Sequence, residues 1–127
     1  MSRTIIVVDD SRLARMVVAG ILGRVQPDWR MVEAGSGAEA LALVREGGAD
    51  VALVDFNMPD MDGLALVEEL RGVRPDMPVA VISANAQDAI VARARNLGAA
   101  FIEKPLKDES LKPFLSGAAL KLGRAGP

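Results

Sequence analysis

The sequence predicts an α/β fold: a five-stranded parallel sheet, doubly wound as (βα)5, with strand order 2-1-3-4-5. Three observations predict it. Short apolar runs rich in β-branched residues alternate with longer stretches of helical periodicity, the pattern of a parallel sheet covered on both faces. Cap and turn residues separate each run from the next. The 127 residues are 50% hydrophobic and 25% charged, a balance that gives one globular domain an ordinary core.

The elements follow in order. Thr4–Val8 is a β-branched run ending in Asp9-Asp10. Ser11 caps a helix through about Val25, with Leu13, Met16, Val17, Ile21 and Leu22 as its apolar stripe. Pro27 and Asp28 mark a turn before a short strand, Arg30–Ala34. Ser36-Gly37-Ala38-Glu39 reads as a capping box that opens a helix to about Glu46, ended by Gly47-Gly48. Val51–Val54 is a buried-type strand that ends at Asp55. Met58-Pro59-Asp60-Met61-Asp62-Gly63 forms a loop before a helix at Leu64–Arg71. Pro75 and Pro78 bracket the turn into strand Val79–Ile82. After a loop at Ser83–Ala86, a helix runs to about Leu97 and stops at Gly98. Ala99–Glu103 is the last strand, Lys104-Pro105 closes it, and a final helix spans about Asp108–Lys121. No composition break divides the chain, so residues 1–122 read as one domain and 123–127 as a short flexible tail.

Absences narrow the chemistry. With no Cys, the chain has neither a disulfide framework nor a thiolate site. With no His, it has no Ser–His–Asp triad, no imidazole metal ligand and no phosphohistidine of its own. A formal net charge of −2 is a poor match for nucleic acid. Only four residues precede Ile5–Val8, too few for a signal peptide, and no apolar stretch approaches the ~20 residues of a membrane span. The expectation is a cytoplasmic protein that binds neither nucleic acid nor membrane. Any metal site must be built from oxygens, which points to hard cations such as magnesium or calcium; the expected ion is Mg2+, with Mn2+ as a second choice.

The acids fall in a pattern. Asp9 and Asp10 end the first strand and Asp55 ends the third, neighbours at the point where strand order reverses. Ligands of such sheets bind beyond the carboxyl ends of the strands at that point. Two carboxylates about 4 Å apart repel by about 4 kcal/mol at an effective dielectric constant of about 20, so three of them call for a cation. Asp also commonly ends strands and caps helices, which accounts for any one of them singly. Lys104, one of only four Lys, ends the fifth strand, and Ser83 ends the fourth. An ammonium, a hydroxyl and a metal-binding acid cluster are the parts needed to receive a phosphoryl group on a carboxylate.

From about Thr4 to Lys121 the chain resembles the receiver domains of two-component response regulators, which have a flavodoxin-like fold. The resemblance rests on Val7-Val8-Asp9-Asp10-Ser11, Asp55-Phe56-Asn57-Met58-Pro59-Asp60-Met61-Asp62-Gly63, Ile82-Ser83-Ala84 and Lys104-Pro105. It implies that Asp55 is the phosphoacceptor. Asp9 and Asp10 would hold Mg2+ together with Asp55 and the backbone carbonyl of Asn57. Ser83 and Lys104 would contact the phosphoryl group, and a cis bond before Pro105 would aim Lys104 at the site. Phe101 matches the aromatic switch position: it would rotate as Ser83 moves, reshaping the face of the fourth helix, fifth strand and fifth helix. Gly63 reads as a position of unusual dihedral angles. Ser83 stands where Thr is frequent and Phe101 where Tyr is frequent. Pro113 interrupts the last helix if that helix begins at Asp108, and is harmless if Ser110 is the cap.

The expected function is a stand-alone switch, not a metabolic enzyme. It would accept a phosphoryl group from a sensor histidine kinase or phosphotransfer protein and then bind an unidentified downstream protein, as a monomer or a phosphorylation-dependent dimer. The alternative is a binding module of the same fold that does not use phosphate. Two enzyme-like readings fit less well. A haloacid-dehalogenase phosphatase needs Asp-x-Asp where this chain has Asp55-Phe56-Asn57. A flavodoxin needs a Gly- and hydroxyl-rich phosphate loop where this chain has Asp9-Asp10-Ser11-Arg12.

Overall fold

The computed structural model describes residues 3–124. Strands and helices alternate throughout: β1 Thr4–Val8, α1 Arg12–Val25, β2 Arg30–Ala34, α2 Gly37–Arg45, β3 Val51–Asp55, α3 Gly63–Val73, β4 Val79–Ser83, α4 Asp88–Asn96, β5 Ala100–Glu103 and α5 Asp108–Arg124. The five strands are parallel in the order β2-β1-β3-β4-β5. Every residue of the central strands β3 and β4 is buried, which is why both read as unbroken apolar runs ending in one polar residue.

Side chains alternate across the sheet and build two cores. Ile6, Val8, Ala52, Val54, Val79 and Val81 face α2, α3 and α4, where Leu41, Val44, Leu66 and Leu70 meet them. Ile5, Val7, Val51, Leu53, Ala80 and Ile82 face α1 and α5, packing on Val18, Ile21, Leu22, Leu111 and Leu115. Trp29 joins this second core at the amino ends of the strands, away from the acids. Among the described residues, no helix is long and apolar enough to cross a membrane.

The helix signals translate into local contacts. Ser11, Ser36 and Asp62 each accept a hydrogen bond from the backbone N–H three residues on. Glu39 completes its box one residue early, accepting from the Gly35 N–H at 2.8 Å. Gly47 and Gly98 stop α2 and α4 with φ of 77° and 71°, left-handed values that favour glycine. Arg71 of α3 donates to the carbonyls of Leu97, Gly98, Pro75 and Met77, tying the end of α4 and the start of β4 to α3.

Two expectations need correction, on the α1 stripe and the extent of α5, and one open alternative, the setting of Pro113, is decided. The apolar stripe of α1 is misplaced: Val18, Ile21 and Leu22 are buried, whereas Leu13, Met16 and Val17 are 71%, 61% and 50% exposed. At about 100° per residue, Leu13, Met16 and Val17 lie round the helix from the stripe of Val18, Ile21, Leu22 and the part-buried Val25 that packs on the sheet. Helix α5 begins at Asp108, so Pro113 lies inside it and removes one backbone bond. It also continues to Arg124, taking Gly123 and Arg124 from the expected tail; residues 125–127 lie outside the described residues.

Candidate functional site

The β1–β3 register runs to Val8 opposite Val54, so Asp9 and Asp55 leave the sheet side by side. One carboxylate oxygen each from Asp9, Asp10 and Asp55 lies within 4.8 Å of the others. Asp9 and Asp55 are buried and Asp10 is exposed. Asp9 is fixed by its backbone: its N–H donates to the Ala34 carbonyl at 3.1 Å, and its carboxylate accepts from the Ser11 N–H at 2.9 Å. Burial pushes the Asp9 carboxyl above the usual carboxylate range. The Ser11 N–H opposes that shift, and the Asp55 charge adds to it.

Lys104 arrives from the far edge of the sheet. Its N–H donates to the Ser83 carbonyl at 3.0 Å, continuing the β4–β5 ladder, and its bond to Pro105 is cis. Its Nζ stands 2.9 Å from Asp55 Oδ1. That contact is an ion pair at a buried oxygen, one positive charge against three carboxylates. An oxygen-ligated divalent cation would answer the remaining crowded negative charge. The donor set, carboxylates with an exposed Asp10 open to water, fits magnesium.

The other expected residues are more dispersed. The Ser83 side chain is buried, and its Oγ accepts from the Asn85 N–H at 2.9 Å. Phe101, opposite Val81 in the register, is half-buried against the core on the α4 side. Ser83 alternates with Val81, so it shares that face of the sheet. Asn57 is exposed in the β3–α3 loop, two residues beyond Asp55. Gly63 is absent from the positive-φ positions, contrary to expectation. Its need is close approach: an added Cβ would meet the Asp55 carbonyl oxygen at 2.5 Å.

Two supporting residues escaped the sequence reading. Arg15 donates through Nη1 to the Asp9 carbonyl and through Nε to Glu33 at 2.8 Å, clamping the turn that carries both acids. Asp60 accepts from the N–H groups of Gly37 and Ala38, each at 3.2 Å, latching the β3–α3 loop to the start of α2. Those N–H groups hold its carboxyl below the usual range. Arg15 had one usable signal, since it lies one helical turn beyond the Ser11 cap. Asp60 had none, because its partners are 22 and 23 residues away.

Comparison with known proteins places this geometry. The model of the response regulator receiver domain matches residues 5–115. The chain belongs to that family. It is similar to the chemotaxis protein CheY of Bacillus subtilis, 31% identical over 122 residues, covering 95% of this chain and 94% of that protein. It is 37% identical over 116 residues to the sensor kinase CckA of Brucella abortus, covering 87% of this chain but only 12% of the kinase. Among solved structures, a CheY-like receiver from Methanospirillum hungatei superposes with a TM-score of 0.87 at 25% identity, covering 98% of this chain and 99% of that one. The chemotaxis protein CheY4 of Vibrio cholerae superposes at 0.82 with 26% identity, covering 93% of this chain and 99% of that one. This receiver therefore belongs to phosphorylation-based two-component signalling, as a switch rather than a metabolic enzyme. Receivers of the family are linked to histidine kinases and bind Mg2+ through acidic residues.

Proposed function

We propose that this receiver takes a phosphoryl group onto Asp55 from the phosphohistidine of a sensor kinase or phosphotransfer protein. One observation carries the reading: three carboxylate oxygens converge within 4.8 Å, and one of those acids, Asp55, has an ammonium 2.9 Å away. An Asp55 oxygen attacks phosphorus, a P–O bond forms, and the P–N bond to the donor imidazole breaks. Asp9, Asp10, Asp55 and the Asn57 carbonyl would hold Mg2+, which when bound neutralises charge on the phosphoryl oxygens. Lys104 leaves its ion pair with Asp55 for a phosphoryl oxygen. Ser83 gives up the Asn85 N–H and donates its own proton to another.

That turn of Ser83 opens space on the face it shares with Phe101. Phe101 then rotates inward and reshapes the surface of α4, β5 and α5 for a downstream protein. Helix α4 suits such a change, since Ala94 is its one buried residue and Gln87 makes no side-chain cap. The setting is the cytoplasm, where kinase-linked receivers meet their donors.

Intact mass after incubation with acetyl phosphate tests the reading. One added phosphoryl mass is expected with Mg2+, with none in EDTA and none in Asp55→Asn. Undiminished phosphorylation of Asp55→Asn would assign the group elsewhere. No phosphorylation from acetyl phosphate or a phosphohistidine donor would favour a phosphate-independent binding module.

A further inference from the structure

A cleft of about 410 Å³ descends from the surface to the acid cluster. Three of its walls are polar: Asp9, Asp55 and Lys104. The remainder is apolar, with Ala84 and Pro105 exposed at the mouth and Val18, Leu53 and Ile82 buried at the base. Val17 of α1, 50% exposed, and Leu106, half-buried, flank the way in. A phosphoryl group engages only the polar end. The apolar walls are surplus to it, yet they are continuous with the nucleophile. Pockets of this size, mostly apolar with a few convergent polar groups, suit small molecules with one charged end.

We propose that this cleft is an acyl-chain subsite, which makes short-chain acyl phosphates with an aliphatic tail preferred direct phosphodonors. The inference rests on Asp55 being the phosphoacceptor. The charge distribution selects the ligand class: an anionic phosphoryl group at Lys104 and the cation-binding acids, and a hydrocarbon tail against Val17, Val18 and Leu106. The reaction is an exchange between mixed anhydrides. An Asp55 oxygen forms a bond to phosphorus, the bond from phosphorus to the acyl oxygen breaks, and the fatty carboxylate leaves with the electron pair. No proton, oxidant or further reactant is required. The reaction that supplies such a donor is one that activates a short fatty acid as its acyl phosphate.

Fully burying two methylenes contributes about fifteenfold in binding, and burying most of their surface about tenfold. Butyryl phosphate, with two more methylenes than acetyl phosphate, should therefore phosphorylate Asp55 about tenfold faster at equal subsaturating concentration in Mg2+. Ala14→Leu, which narrows the cleft, should bring that ratio close to one. A binding measurement on the unaltered protein guards against misfolding of the variant. In Mg2+, 2-oxopentylphosphonate should shift the methyl resonances of Val17, Val18 and Leu106 and bind about tenfold more tightly than acetonylphosphonate. Equal rates for the two acyl phosphates would overturn the subsite and leave Asp55 phosphorylation standing, as would an absence of methyl shifts. Failure of both acyl phosphates and of a phosphohistidine donor would overturn both readings.

Discussion

An ideal Cβ on Gly63 would lie 2.5 Å from the Asp55 carbonyl oxygen and 2.9 Å from Phe56 Cα. Both neighbours are backbone, so neither can swing aside. Gly63→Ala should cost about 3 kcal/mol, at the upper end of overpacking effects, measured by urea unfolding. It should also slow phosphorylation, because relief of the clash moves the backbone of Asp55. Asp9 illustrates the opposite kind of constraint. Its folded pKa is raised, so in the absence of a cation the stability it contributes is lost as pH rises through that value. Asp9→Asn, which keeps the acceptor for the Ser11 N–H, should stabilise the protein by about 1 kcal/mol at pH 7 in EDTA. The gain should shrink or reverse in Mg2+, where the parent protein gains binding energy that the variant lacks. An Asp9→Asn protein less stable than the parent in EDTA would contradict the charge-crowding account. The acids and Lys104 were legible in the sequence because a strand end is a fixed place in a parallel sheet. The role of Gly63 was only half legible: glycine signals either dihedral freedom or close approach, and only packing decides which.

Elements carry the site through their junctions. The β3–α3 loop is pinned at both ends, by the Phe56 N–H to the Ile82 carbonyl at 2.9 Å and the Gly63 N–H to the Phe56 carbonyl at 2.8 Å. In between, it is held by Asp60 at the start of α2. The lowered pKa of Asp60 means its contribution is full above about pH 4 and lost as pH falls through the depressed value. Asp60→Ala should therefore be less stable than the parent at pH 7, with the difference shrinking toward zero at the acid end of a denaturation series. A difference that stays constant across pH would show that the carboxylate is not the latch. Because this loop carries Asn57, Asp60→Ala should also weaken Mg2+ binding, read by calorimetry. Helix caps and glycine stops were legible because they act within a few residues. The exposed face of α1 was not. Helix α1 carries two apolar stripes, Leu13-Met16-Val17 and Val18-Ile21-Leu22-Val25, and only packing against the sheet decides which of them is buried.

At the scale of the molecule, the alternation of short apolar runs and helical stretches was enough to give a parallel sheet covered on both faces, and the order 2-1-3-4-5 came with the flavodoxin-like arrangement that the receiver resemblance implies. That order brings β1 and β3 together and so assembles the acids. It also places Lys104 within 2.9 Å of Asp55 although 49 residues separate them, 104 less 55. The cleft beside them was beyond sequence reasoning, since its walls come from three strand ends, α1 and the loop after β5. All of this chemistry converges on one carboxylate. Reductive trapping with borohydride after phosphorylation in Mg2+, followed by peptide sequencing in the mass spectrometer, reads that carboxylate directly. Conversion of Asp55 to homoserine, with Asp9 and Asp10 unchanged, is the predicted result. Homoserine at any other position, or stoichiometric phosphorylation with Asp55 intact, would contradict the account.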